Sequence, residues 1–507
     1  MYRNGKILVG KSGDKELNLL LNMTNRHGII TGATGSGKTI TAKVLAESFS
    51  NAGVPVFISD VKGDLSGTAL TGTNSESMIS RLEKLKISDF EFANYPVRFW
   101  DVYGENGHPI RAKIKDIGPE ILSIMLGLSE AQEGNLTIVF RVAQDENLEL
   151  SDLSDLKSVL QYVADHRQDY ITKYGNITTQ SIGVIQRSLL MLENQGADKF
   201  FGEPSLEIRD FISFDAETGK GAVNILHAVE LFKHPDLYAS FMLWLLTDLY
   251  NTLPEVGDVD KPKIVFFFDE AHLLFNGMPL YRLKQITQIV KLIRSKGIGL
   301  FFISQLPTDI PDEIASQLGN KIQHTLRAYT PQEQKVVKIV ADSFRENPNF
   351  DTKDAILELG TGEALISFQT EEGIPEIVEK ATILPPQSMM GEIDESSRMK
   401  VINNSPYAGK YDEKIDNESA HEIITKQYEE ETKQKEEIAK AKIEEKEAKE
   451  KAKLDAALER EKAKKEREEE KARKSSLSYQ LGKKVTNKAT NKIIDKGLNK
   501  ILKGLFK

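Results

Sequence analysis

Apolar residues run along the chain in two textures. In the first 110 residues, strand-type runs at 27–31, 54–59 (VPVFIS) and 96–101 (PVRFWD) flank a helical pattern at 39–51. Buried-type strands alternating with helices predict a parallel sheet covered on both faces. From 115 to 220 the period lengthens, and residues 121–128, 131–142, 153–167 and 181–194 carry apolar side chains at helical spacing. That stretch reads as a helical insertion. Strand-type runs return at 222–226, 263–268 and 299–304, with an apolar helix at 241–250, and a turn and strand at 360–368 close the compact part.

Beyond residue 390 the texture is that of a linker, followed at 421–475 by a segment dominated by Glu, Lys, Arg and Ala. Glu436–Lys440, Glu445–Lys449, Glu447–Lys451 and Glu461–Lys465 are i, i+4 pairs in the favourable order, each stabilising a helix by about 0.2–0.5 kcal/mol. With no sustained heptad, a solvated single helix is preferred over a weak coiled coil. In 476–507, Lys484, Lys488, Lys492, Lys496 and Lys500 recur opposite apolar positions. Such a basic amphipathic tail suits a membrane surface, nucleic acid, self-association, or packing on its own body. The expected segments are 1–114 and 221–390 for a divided core, 115–220 for the insertion, 391–420 for a linker, 421–475 for the charged helix and 476–507 for the tail.

Composition narrows the class further. A net charge of −9 over 507 residues excludes a globally polybasic nucleic-acid binder but not a motor that holds DNA through a few local cations. The chain has no cysteine, which excludes disulfides and thiolate metal sites and fits a reducing, cytoplasmic setting. No uncharged run approaches the ~20 residues needed to span a bilayer.

The chemistry concentrates in two motifs. Gly32, Ala33, Thr34, Gly35, Ser36, Gly37, Lys38 and Thr39, followed by Ile40, fit G-x-x-x-x-G-K-[ST] between a strand and a helix. Glycines there let backbone N–H groups converge on phosphates at the positive end of a helix; Lys38 reaches the β- and γ-phosphates, and Thr39 can hold Mg²⁺. The second motif is the apolar run 264–268, ending in Asp269 and Glu270. Asp269 is placed to bind Mg²⁺ and Glu270 to polarise the attacking water, so ATP and Mg²⁺ are the expected ligands. The adjacent acid pair favours hydrolysis over transfer to a second substrate. His272 completes D-E-A-H as a structural or coupling residue, with no second histidine at ligand spacing. Gln305 follows the 299–304 run as a sensor of the γ-phosphate, ahead of Ser304. Arg294 is the first candidate for an arginine finger acting in trans, with Arg26 and Arg327 behind it; Arg282 and Lys284 are candidates for a pore loop.

These segments resemble a known family. GATGSGKT at 32–39, FISDVKGDLSG at 57–67, FFFDEAHLLF at 266–275, LIRSKGIGLFFISQ at 292–305 and LRAYTPQEQKVV at 326–337 are similar to the HerA/FtsK group of DNA-pumping ATPases. IQRSLLMLENQGADKFFGEP at 185–204 and ATILPP at 381–386 point to its bacterial YjgR-type HerA-like branch. The resemblance implies an α/β RecA-like P-loop core that assembles as a homo-hexamer, binds ATP between subunits and moves double-stranded DNA. It also implies Walker roles for Lys38, Thr39, Asp269 and Glu270, a trans-acting role for Arg294, a second phosphate-facing arginine near Arg26, and the sensor position for Gln305. An ATPase strand within the first ten residues leaves no HerA-type barrel for a nuclease partner. The alternative is a nucleotide-switched scaffold that binds a membrane or protein through its tail and ignores DNA. A two-lobed superfamily 2 helicase is disfavoured, because no second arginine-rich lobe motif is present.

Overall fold

The computed structural model describes residues 1–257 and 259–479, with side chains described to 472. Residues Met1–Ile424 form one compact unit. Its strands are β1 (Tyr2–Arg3), β2 (Lys6–Ser12), β3 (Lys15–Leu20), β4 (Gly28–Thr31), β5 (Val56–Asp60), β6 (Val97–Asp101), β7 (His108–Pro109), β8 (Val223–His227), β9 (Ile264–Phe268), β10 (Ile298–Ser304), β11 (Asn320–Gln323), β12 (Glu363–Ser367) and β13 (Glu379–Ile383). Among the described residues they form one 13-stranded sheet in the order β1-β2-β13-β12-β11-β4-β10-β9-β5-β8-β6-β7, with β3 also pairing with β2.

From β11 to β7 every pairing is parallel, while β12, β13, β2, β1 and β3 add an antiparallel flank. The apolar runs become the parallel strands because both faces are covered. Every residue of β5, β9 and β10 is buried. Their phenylalanines stack across the sheet: Phe57 on Phe266 at 5.1 Å, Phe267 on Phe301 at 5.2 Å and Phe268 on Phe302 at 5.5 Å between ring centroids. Such pairs contribute about 0.5–1.5 kcal/mol each beyond burial and resist a slip of register.

Between β7 and β8 lie helices Ile114–Met125, Glu130–Asp145, Leu153–Asp165, Arg167–Tyr174 and Thr179–Asn194. The first begins seven residues earlier than its pattern suggested, because Gly118 (φ 75°) and Pro119 break the apolar period inside it. Leu153–Asp165 is capped by Asp152, whose carboxylate accepts from Ser154 N at 2.8 Å, while Asp155 returns a bond from Asp152 N at 3.0 Å. The second Asp155 oxygen accepts from Ser419 Oγ at 2.6 Å and His421 N at 2.9 Å, which ties the chain's later part to these helices.

Arg282 is not a pore-loop side chain. It is 5% exposed, donates to Glu120 O at 2.8 Å and Ser123 Oγ at 2.7 Å, and pairs with Glu133 Oε2 at 2.6 Å. A guanidinium buried that way packs helix Leu280–Leu292 against the 114–145 helices. Lys284, two residues on, is exposed.

Helix Ala420–Tyr479 carries the charged segment, and Glu445–Lys449 pairs at 2.5 Å and Glu431–Lys435 at 3.2 Å. The basic tail expected at 476–507 falls outside the described residues beyond Tyr479.

His27, at the start of β4, is buried with both ring nitrogens engaged. Nε2 donates to Val290 O at 2.8 Å and Nδ1 accepts from Leu300 N at 3.1 Å, which defines a neutral ring. Burial lowers its pKa to about 4. A depressed histidine contributes stability that is present above its ordinary value near 6.5 and is lost as pH falls toward 4. In a histidine-labelled NMR titration of the intact chain, the His27 ring is expected to remain neutral at pH 5, and a charged ring there would contradict this packing.

Candidate active site at the carboxyl edge of the parallel strands

Because β4, β10, β9 and β5 run parallel, the loops that follow them emerge together. Ser304 is level with Thr31 and Phe302 with Phe268, so the 32–37 loop, Asp269–Glu270 and Gln305 meet at one edge. Ligands of open α/β sheets bind in the crevice at this carboxyl edge.

The 32–37 loop is held from beneath by the neighbouring strands. Gly32 N donates to Gln305 O at 3.2 Å, Ala33 N to Thr325 O at 2.8 Å, and Gly362 N to Ser36 O at 3.0 Å. Two of its glycines are sterically required. Gly32 has φ 152°, and a Cβ there would lie 2.5 Å from His324 Cβ; Gly37 has φ 114°, and a Cβ there would lie 3.3 Å from the Gly362 main chain. Helix Lys38–Asn51 starts at once, so its free N–H groups and positive dipole end face the loop. Lys38 Nζ folds back onto Gly32 O at 2.6 Å and Ala33 O at 3.3 Å. Burial lowers its pKa, and the nearby Glu270 and Asp269 carboxylates oppose that shift. Ser36 Oγ is buried without a hydrogen-bond partner, which leaves one hydroxyl for a phosphate oxygen. Thr39 and Ile40 are half-buried on the first helical turn.

Asp269 and Glu270 follow β9 in a turn. Burial, reinforced by the charge of Glu270, pushes the Asp269 carboxyl up to about 7. Its Oδ1 accepts from Glu270 N at 2.9 Å. Glu270 has φ 46°, a left-handed conformation that costs a non-glycine residue about 1–3 kcal/mol and clusters at functional sites. Its Oε2 has no hydrogen bond; His272 Nδ1 lies 3.4 Å away without the alignment of one. A buried hydroxyl, a lysine held on main-chain carbonyls, and an unengaged carboxylate beside a titratable one suit a polyphosphate and a divalent cation.

Sequence reasoning missed the groups that fix this turn. Tyr238 OH donates to Asp269 O at 2.7 Å, Asp269 N donates to Ser59 Oγ at 3.1 Å, and the Ser59 hydroxyl completes the ring to Tyr238 at 2.9 Å. Tyr238 sits in an apolar helix whose pattern signals only core. His324 was also silent. Its Nδ1 donates to Glu363 O at 2.9 Å and its Nε2 accepts from Thr41 Oγ1 at 2.9 Å, wedging the ring under the phosphate loop.

The arginines divide. Arg327 is exposed and lines a cavity of about 380 Å³ with Ala33, Thr34, His272 and Gln305. Arg26 and Arg294 precede β4 and β10 and lie at the opposite edge; Arg294 approaches His27 closely enough to act on its titration. At about 3.3 Å per residue, β10 separates Arg294 from the phosphate loop of its own chain by roughly 20 Å. The structure therefore does not bring them to the site in cis.

The fold and site together define a RecA-like P-loop ATPase. A plasmid coupling protein, TrwB, in complex with ADP and Mg²⁺ shares the fold at TM-score 0.51, with 11% identity over 77% of this chain and 92% of that chain. The model of the helicase HerA-like C-terminal family matches residues 6–506, and the chain belongs to that family. It is 23% identical over 405 residues to the DNA double-strand break repair helicase HerA of Sulfolobus acidocaldarius, covering 78% of this chain and 72% of that protein. Its namesake from Sulfurisphaera tokodaii is 23% identical over 378 residues, covering 72% and 67%.

Tyr238→Phe removes the hydroxyl on Asp269 O. We expect a loss of about 1–2 kcal/mol in chemical denaturation. Turnover should fall roughly tenfold or more through misplacement of Asp269 and Glu270, with nucleotide affinity within threefold. Unchanged turnover would assign the ring to stability alone.

Proposed function

We propose that this chain is an ATP-driven translocase of double-stranded DNA, working in the cytoplasm as a ring of identical subunits, six in the family's usual form. The observation that carries the reading is the division of charged groups between the two sheet edges. Lys38, Thr39, Asp269, Glu270 and Gln305 gather at the carboxyl edge, while Arg294 and Arg26 lie at the other. A head-to-tail ring apposes unlike surfaces of neighbours, so one copy's Arg294 edge faces the next copy's phosphate loop. The names of its relatives support DNA as the cargo. In this reading 1–114 and 221–390 are the two parts of the ATPase core, and 115–220 is an insertion available for partner contacts. Among the described residues no helix is long and apolar enough to cross a membrane.

The chain's own residues account for hydrolysis. Backbone N–H groups within 34–39 other than that of Ser36, together with Ser36 Oγ, bind the phosphates, and Lys38 moves from the Gly32 carbonyl to the β,γ-oxygens. Mg²⁺, held by Thr39 and Asp269, would neutralise phosphate charge. Glu270 accepts the proton of the attacking water, Gln305 orients that water, and Arg294 of the neighbouring copy balances charge at the γ-phosphate.

Turnover by the purified chain, with and without linear duplex DNA, tests this. We expect stimulation by duplex that weakens steeply with salt, and a loss of about 10²–10⁴-fold in Glu270→Gln. Turnover that depends on Glu270 but ignores duplex would favour the scaffold reading. For the trans finger, Arg294→Ala and Glu270→Gln chains, each inactive alone, should regain turnover when mixed. No gain on mixing, with assembly demonstrated, would remove Arg294 from the site.

A further inference from the structure

One cation at the carboxyl edge has no part in the scheme above. Lys62 follows β5, which pairs with β9 in parallel, with Ile58 opposite Phe267. Two residues further along, Asp60 is level with Asp269, so the 61–65 loop borders the Asp269–Glu270 turn. Val61 and Gly63 are buried and Lys62 between them is exposed. The loop itself is rigidly built. The buried Asp60 carboxylate accepts from Lys62 N at 3.3 Å, Gly63 N at 2.8 Å and Leu65 N at 3.0 Å. Gly63 has φ 83°, and its carbonyl accepts from Ser66 Oγ at 3.1 Å, which in turn accepts from Ile393 N at 3.1 Å. Fixing the main chain on both sides limits where the Lys62 side chain can reach. No hydrogen bond or ion pair among the described residues engages its ammonium. Its charge is nevertheless felt in the site, where it favours the ionised form of Asp269 and disfavours that of Lys38.

We propose that Lys62 is a catalytic residue whose ammonium contacts the γ-phosphate of ATP as a second cation in cis, beside Lys38. The proposal rests on the ATPase reading of the site. Electrostatics gives the reason. Lys38 alone leaves the Asp269 and Glu270 carboxylates in excess at their turn, while Arg327 lines the mouth beside Gln305 and His272. Lys62 offsets the remaining carboxylate at that turn without a partner that must first be displaced. In the reaction, the water oxygen bonds to the γ-phosphorus, the bond from that phosphorus to the β,γ-bridging oxygen breaks, and the water proton passes to Glu270. ADP leaves with the bridging oxygen, and the γ-phosphoryl group leaves as inorganic phosphate. Charge on the three γ-oxygens must be matched throughout, and Lys62 supplies a fixed positive charge there.

Lys62→Ala and Lys62→Arg in the full chain test this, since an exposed side chain can be replaced without disturbing the core. ATP turnover is expected to fall about 100-fold in Lys62→Ala and to recover substantially in Lys62→Arg. In a Glu270→Gln background, which holds ATP uncleaved, Lys62→Ala should weaken ATP about tenfold or more and leave ADP within threefold. Equal losses for ATP and ADP would overturn a γ-phosphate contact, as would turnover within twofold of the unsubstituted chain. A defect seen only with duplex present would overturn it too, by assigning Lys62 to DNA. Failure of the ATPase reading is a separate result: the unsubstituted chain would then show no Glu270-dependent turnover at all.

Discussion

Parallel strands send every succeeding loop to the same edge of a sheet, and the function of this chain depends on how firmly four of them keep that arrangement. A slip of one residue between β9 and β10 would turn Asp269 away from the phosphate loop and reverse which phenylalanines face which layer. The stacked rings of Phe57, Phe266, Phe267, Phe301, Phe268 and Phe302 make such slips costly. The aromatic ladder in the interior therefore sets the geometry of charged groups at the rim. Its contribution is positional as much as energetic.

The antiparallel flank has a different task. β12 pairs antiparallel with β11, the strand beside β4, and the segments at their ends hold the phosphate loop through Thr325 O, Gly362 N and the His324 ring. Arg81 braces the same turn by donating to Gly362 O at 2.5 Å and Ile383 O at 3.0 Å. The loop spends Ser36 N on an internal turn to Ala33 O at 3.2 Å, and a loop that binds a polyanion through its remaining N–H groups has few more to spend. Its shape has to be imposed from outside, and strands at its back can do so without obstructing the mouth.

Much of this was legible because the parallel strands are uniformly apolar and the phosphate-loop spacing is specific. The elements that were not legible share a physical cause. β11 reads NKIQ, with polar residues at three of four positions, yet it is a buried strand. Asn320 donates to Met23 O at 3.1 Å and His27 O at 2.9 Å, and Gln323 accepts from Thr31 Oγ1 at 2.6 Å. Polar side chains satisfied inside the core are invisible to hydropathy. Tyr238 is the converse, an aromatic in an apolar helix whose hydroxyl acts on Asp269. Arg282 shows the third kind of miss, a cation after a catalytic strand that proves to be buried packing. In each case the information lies in a partner distant in sequence.

The strain at Glu270 and the raised Asp269 carboxyl have one origin. The turn after β9 brings two acids together at the mouth of a largely buried cleft, where each disfavours the charge of the other. Left to itself, that arrangement relaxes by protonating Asp269 and by letting Glu270 leave the left-handed region. The Ser59–Tyr238–Asp269 ring opposes the second route by holding the main chain, and cations oppose the first. Lys38, hydrogen-bonded to the loop's carbonyls, already favours the ionised form of Asp269. In the proposed mechanism Mg²⁺ arriving with the nucleotide would add the positive charge that keeps both acids ionised, and the strained turn is carried into the bound state, where it aligns Glu270 as the base. A relaxed turn would fold more stably and would present its base less well.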